Sequence, residues 1–202
     1  TKTKMSKLYF RYATMGAGKS LDLLKTAYNY EERNKNVLLL TSKCDNRHGL
    51  DKITSRVGLS MPALSISDTI NIFEYVSLHH SINRYDCILI DEVQFLTKAQ
   101  IWELTDIVDK LDLNVITYGL RIDYKGEPFE GSCYLMALAD KIEELKTICE
   151  FGDKATMNLR TINGESVFEG DQIVIGGNES YIPVCRKYFK QEINKKFKPN
   201  LK

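Results

Sequence analysis

The segment Ala13-Thr14-Met15-Gly16-Ala17-Gly18-Lys19-Ser20 combines two glycines, a lysine and a small hydroxyl in a run of eight residues. After a strand and before a helix, such a loop cradles phosphates, because its amides and the helix N-terminus converge on one anion. In that setting Lys19 contacts the transferring phosphate and Ser20 ligates Mg²⁺. The general pattern has a glycine where Ala13 stands. The plain alternative is that Gly18-Lys19-Ser20 only starts a helix. Against it stands a second element downstream, Cys87-Ile88-Leu89-Ile90-Asp91-Glu92, an apolar run ending in two carboxylates. Delivered to a phosphate site by a buried strand, Asp91 holds Mg²⁺ through water and Glu92 serves as a base on the attacking oxygen.

The two motifs together imply nucleotide binding but do not name the acceptor. An ATPase or helicase module uses the same lysine and an Asp-Glu pair to activate water. Ser42-Lys43-Cys44-Asp45 faintly matches a guanine-reading motif, yet it precedes the carboxylate strand and lacks the asparagine, so the match is chance. A motor would need a coupling domain, for which 202 residues leave little room. A non-catalytic nucleotide-binding partner would show damage at Lys19, Ser20, Asp91 or Glu92, and all four are intact.

The elements that must position these residues alternate over the first 120 positions, as in a parallel sheet with helices on both faces. Strands are expected at 7–12, 37–42, 62–67, 87–91 and 114–120. Helices are expected from Lys19 to about Arg33, over 69–80, and over 97–111 with Thr97 as N-cap. Residues 44–60 are polar and aperiodic, and read as a long functional loop. Beyond Gly119, scattered glycines separate short β-rich pieces, including 155–162 and 172–176, and a lysine-rich tail from Cys185 reads as a solvated helix. The expected organisation is a P-loop α/β domain over 1–140 and a small β-rich annex over 141–202.

A formal net charge of +1 offers no global field for a nucleic acid polymer. No apolar run approaches the roughly 18–20 residues of a membrane helix, and the start lacks a signal-peptide core, so a cytoplasmic setting is expected. Five widely spaced cysteines then read as reduced thiols.

Six ordered motifs carry a resemblance to the thymidine kinase family of the cellular, bacterial and phage type, closest to its bacterial and phage branch. They are Met15 to Ser20, Asn29-Tyr30-Glu31-Glu32-Arg33, Ser55-Arg56-Val57-Gly58-Leu59, Asp91-Glu92-Val93-Gln94-Phe95-Leu96, Tyr118-Gly119-Leu120-Arg121 and Val174-Ile175-Gly176-Gly177-Asn178-Glu179. That branch tolerates a small residue at Ala13. The resemblance implies a kinase that moves the γ-phosphate of ATP onto the 5′-hydroxyl of thymidine, and of deoxyuridine, in nucleotide salvage. Glu92 would take the hydroxyl proton, with Asp91 and Gln94 around metal and phosphates, and Asp45 and Arg47 would lie on a loop over the 5′ end. Met15, Leu120 and Tyr124 would pack on the base. A lasso loop, Gln172, Ile173, Val174, Ile175 and Gly176 with Tyr181, would close over the base and read it through backbone groups. Without the family, Asp45 and Arg47 read as solvated loop charges, and Met15, Leu120 and Tyr124 as core. A homotetramer and feedback inhibition by thymidine triphosphate, dTTP, are further implications.

The resemblance also implies a structural zinc in the annex, held by two ligand pairs. Cys149 and Cys185 match the first member of each pair, but Phe151 and Tyr188 stand where the branch has Cys and His. Two thiolates fall short of the four ligands of a closed site, so no zinc is expected. Glu150, Asp153, His79 or His80 are the conceivable replacement ligands.

Overall fold

In chain order the elements are β1 (Leu8–Tyr12), α1 (Lys19–Glu31), β2 (Val37–Ser42), β3 (Gly49–Thr54), β4 (Ser60–Ile66), α2 (Ile72–Ile82), β5 (Cys87–Asp91), a 3-10 turn (Val93–Phe95), α3 (Lys98–Leu111), β6 (Asn114–Gly119), α4 (Glu130–Leu138), β7 (Lys141–Glu144), β8 (Met157–Ile162), β9 (Glu165–Val167), β10 (Glu179–Val184) and α5 (Arg186–Phe197). They come from a computed structural model that describes residues 5–42, 49–173 and 179–197. The central sheet runs β3-β4-β2-β5-β6-β1-β7, and every pairing is parallel except β3 with β4.

Strand alternation sorts the core into two layers. Leu38, Leu40, Ile88 and Ile90 face one side and pack with Val76 of α2, Leu104 of α3 and Leu135 of α4. Leu39, Cys87, Leu89 and Ile116 face the other side, against Leu23, Leu24 and Ala27 of α1. All five residues of β5 are buried, as a central parallel strand covered on both faces requires. The thiol of Cys87 is pushed up to about 12 by that burial. α3 starts at the expected cap: Thr97 accepts from Gln100 N at 3.2 Å, and the Gln100 side chain accepts from Thr97 N in return.

Residues 49–54 correct the expected loop. They form β3, an antiparallel edge strand in register with β4 from Gly49↔Ser65 to Thr54↔Ser60. An edge strand needs one covered face, and here Ile53, 3% exposed, supplies it, while Lys52 and Thr54 stay solvated. Residues 130–138 correct the β-rich reading of the region past Gly119. They form α4, whose Gly131 lies so close to the 3-10 turn that a Cβ would sit 2.7 Å from the carbonyl oxygens of both Val93 and Leu96. β7 then pairs in parallel with β1, so the central sheet runs on to Glu144. The annex is a three-stranded antiparallel sheet, β10-β8-β9, with its own core of Leu159, Phe168, Val184 and Phe189.

Candidate active site

The phosphate loop leaves the end of β1, where Ala13 N donates to Gly119 O at 3.3 Å. Gly16 and Gly18 take left-handed backbone angles, φ 78° and 82°, which a side chain would strain. Gly18 caps α1. The Lys19 side chain folds back over the loop, and its ammonium donates to Thr14 O at 2.8 Å. One loop amide is held from the annex: Met15 N donates to Oδ1 of the buried Asn158 at 2.9 Å.

β5 ends two strands away from β1, across β6, and delivers the carboxylates to the same edge. Asp91 is buried and accepts from Ser20 Oγ at 2.9 Å and from Glu92 N at 2.9 Å. Glu92 is a non-glycine residue in the left-handed region, φ 55° and ψ 37°, a conformation that surrounding structure must impose. Gln94 does part of that. Its Nε2 donates to Glu92 Oε2 at 2.5 Å while its Oε1 accepts from Leu120 N at 3.1 Å. A Cβ on Gly119 would lie 2.6 Å from that Oε1, so glycine is the residue that lets β6 approach the glutamine.

Burial raises Asp91 above the usual carboxylate range, although Ser20, the Glu92 amide and Lys19 all pull the other way. Burial likewise lowers Lys19, opposed by Glu92 and Asp91 and assisted by Arg56. A buried carboxylate beside a hydroxyl, with its charge incompletely offset, is a hard-oxygen donor set that fits a small divalent cation such as Mg²⁺.

Two cavities meet over these residues. The first, about 330 Å³, is lined by Gly16, Gly18, Lys19, Ser20, Arg56 and Glu92 together with Met15 and Leu120. The second, about 160 Å³, is lined by Phe95, Tyr124, Phe129, Asn158, Ile173 and Tyr181, again with Met15 and Leu120. The pair forms one elongated site with a charged end and a largely aromatic end. In the aromatic end Phe95 and Phe129 meet edge to face at 5.7 Å. Tyr124 is 2% exposed, with the Arg160 guanidinium 4.9 Å over its ring and Tyr181 edge-on at 6.3 Å. Its hydroxyl lies 2.7 Å from Asp171 O and 3.2 Å from Glu169 O, so it also fastens the chain leading into the lasso. Gln172 Nε2 donates to Asp123 Oδ2 at 3.0 Å from the same stretch.

Of the residues expected from sequence, Met15, Gly16, Gly18, Lys19, Ser20, Glu92, Leu120, Tyr124, Gln172, Ile173 and Tyr181 line these cavities, and Thr14, Asp91 and Gln94 are hydrogen-bonded to residues that do, whereas Ala13 and Ala17 belong to the same loop and line neither. Asp45, Arg47, Val174, Ile175 and Gly176 fall outside the described residues. Sequence reasoning passed over Arg56, Asn158 and Phe129 as site residues. Arg56 stood in a quoted motif, and Phe129 lies in the Pro128-Phe129 turn after the base-side residues, but only β8 brings Asn158 to the loop.

In the annex, burial disfavours the Cys149 thiolate, but the neighbouring amides of Phe151, Asp153 and Cys185 and the Cys185 thiol outweigh it and lower the thiol below its ordinary value. The rings of Phe151 and Tyr188 pack 4.8 Å apart beside them. Among the described residues no group of three or more His, Cys, Asp or Glu is arranged to hold a metal ion, and no helix is long and apolar enough to cross a membrane.

Comparison with known proteins agrees with this geometry. The sequence profile of the family described as thymidine kinase matches residues 6–189. A thymidine kinase of Mannheimia succiniciproducens is 52% identical over 192 residues, covering 95% of this chain and 98% of the relative. One of Lactococcus lactis is 51% identical over 191 residues, covering 94% and 100%. One of Francisella tularensis is 49% identical over 195 residues, covering 94% and 99%. A phosphate loop and paired carboxylates at one end of a shared cavity, an aromatic pocket at the other, and near full-length identity at this level lead to one conclusion: the chain belongs to the thymidine kinase family.

Proposed function

We infer that the protein transfers the γ-phosphate of ATP to the 5′-hydroxyl of thymidine, with deoxyuridine as a second acceptor. The observation that carries this reading is the continuity of the two cavities through Met15 and Leu120, with Glu92 on the phosphate side of the junction. A nucleoside with its base among Phe95, Tyr124 and Tyr181 directs its 5′ end toward that carboxylate. Lys19 and the loop amides hold the donor phosphates, and Gln94 orients Glu92. Glu92 accepts the hydroxyl proton as the oxygen attacks. Mg²⁺, held by Ser20 and Asp91, would offset charge on the β- and γ-phosphates. Gln172, Ile173 and Tyr181 line the aromatic cavity, where excluding water above the base would strengthen backbone hydrogen bonds to its edge. The same reading extends to a cytoplasmic homotetramer inhibited by dTTP, with an annex that carries no zinc and packs Phe151 on Tyr188 instead.

The test is transfer of labelled phosphate from ATP to thymidine, with Glu92→Gln as control. The expected result is labelled thymidylate from the wild type and a loss of about 10²–10⁴-fold in kcat for the variant, the range a positioned base contributes. ATP hydrolysis without labelled thymidylate would sink the kinase reading in favour of a water-activating module.

A further inference from the structure

The hairpin of β3 and β4 brings a second cation to the phosphate loop. Its turn is tightly tied: Ser55 N donates to Leu59 O at 2.8 Å, Leu59 N to Ser55 Oγ at 3.1 Å, and Gly58 N to Ser55 O at 3.0 Å. Ser55 itself is buried, and Gly58 takes φ 88° to close the turn. The turn is therefore a fixed mount for the residue between them, Arg56. The Arg56 guanidinium reaches over the loop apex, with Nη1 3.1 Å from where a Cβ on Gly16 would stand. It lines the same cavity as Lys19, Ser20 and Glu92. Its charge adds to the effect of burial in lowering Lys19. No other described residue ion-pairs with it, although Asp91 and Glu92 lie in the same site.

Two cations that line one cavity repel, and an anion bound between them would offset that repulsion. A planar guanidinium also offers paired donors that match two oxygens of one phosphoryl group, which an ammonium does not. We propose that Arg56 is a further catalytic residue, contacting the γ-phosphoryl group of the donor from the side opposite Lys19. This rests on the kinase reading above. In the step it serves, the nucleoside 5′-oxygen forms a bond to the γ-phosphorus as the bond to the β,γ-bridging oxygen breaks. The hydroxyl proton passes to Glu92, and ADP leaves with the electron pair. Arg56 neither gains nor loses a proton; it offsets the charge spread over the equatorial oxygens. The left-handed backbone at Gly16, φ 78°, is what requires glycine there, and the absence of a Cβ also leaves the guanidinium its place over the loop.

The experiment compares wild type, Arg56→Lys and Arg56→Ala in steady-state transfer from ATP to thymidine, with thermal melting of each and with added guanidinium ion at non-denaturing concentration. Arg56 is exposed and bonded to no core group, so melting should be unchanged. Removing one preorganised donor to a developing charge typically costs about 10²–10³-fold in kcat. Arg56→Ala should show a loss of that order with the KM for thymidine little altered, guanidinium should restore part of it, and Arg56→Lys should fall between. An active wild type with Arg56→Ala within about threefold in kcat, or with an effect confined to the KM for thymidine, overturns the proposal and leaves the kinase reading standing. A wild type that makes no thymidylate overturns both.

Discussion

Burial makes the ionised form of Asp91 costly to the fold. Burial raises its pKa above that of the unfolded chain despite the hydrogen bonds from Ser20 and the Glu92 amide. A carboxyl with a raised folded value is fully stabilised only below its unfolded pKa, and that contribution is lost as pH rises through the folded value. At neutral pH the metal-free protein therefore carries a penalty that a neutral side chain of the same shape lacks. Asp91→Asn should raise the Tm of the metal-free protein at pH 7–8, with each kcal/mol relieved worth roughly 2–4 °C in a chain of this size. The gain should vanish in acid, where the wild-type carboxyl is protonated, while phosphoryl transfer is lost at every pH. Melting curves of both proteins across pH check it, and a variant less stable than wild type at neutral pH would refute it. Asp91, Glu92, Lys19 and Ser20 were legible in the sequence because each sits at a fixed offset within one short motif, and the order of the two motifs along the chain supplied the rest. Arg56, Asn158 and Phe129 were not, because what places them is pairing between distant segments: Asn158 meets Met15 from 143 residues away.

At the scale of elements, a continuous apolar run and a capped apolar stripe were each read close to their ends, as with the fully buried β5 and the Thr97-capped α3. Among the elements that were missed, β3 and α4 owe their form to contacts with other segments. Among the side chains described in β3, Ile53 is buried between the exposed Lys52 and Thr54, and the strand is defined by its pairing with β4. α4 begins with Glu130-Gly131-Ser132, a poor helical start, because glycine is needed for contact rather than propensity. The carbonyls of Val93 and Leu96 press on Gly131, and Ser132 donates to Leu120 O, so α4 braces both the 3-10 turn that carries Gln94 and the end of β6. Gly131→Ala forces a methyl against two backbone oxygens that cannot rotate away. It should cost about 1–3 kcal/mol by denaturant unfolding, the usual range for overpacking. Because the displaced turn holds Gln94 against Glu92, kcat should fall further than the loss of folded protein explains. Activity per folded molecule equal to wild type would show that α4 does not brace the site.

The whole molecule places its site between two sheets, the parallel one supplying phosphate chemistry and the antiparallel annex supplying Asn158, Arg160 and Tyr181 at the aromatic end. The annex must therefore hold its own shape, and in a unit this small a metal is one usual way to do so. Here Phe168 packs edge to face on Phe189 at 5.4 Å, and Phe151 lies against Tyr188 at 4.8 Å, joining the turn around Cys149 to α5. An aromatic pair of this kind contributes about 0.5–1.5 kcal/mol beyond its burial, enough to fasten a turn but less than a closed zinc site gives. If the ring pair occupies the place of two lost ligands, restoring them should restore the site. The purified wild type should hold far less than one zinc per chain by elemental analysis, and its Tm should not respond to a chelator. Phe151→Cys combined with Tyr188→His completes a set of three thiolates and one imidazole, a combination that closes a tetrahedral zinc site. That variant should bind about one zinc per chain and lose Tm on chelation, because the metal then carries part of the folding free energy. Near-stoichiometric zinc in the wild type would mean that other ligands complete the site. A double variant that stays metal-free would mean that the backbone around Cys149 and Cys185 no longer converges on one point.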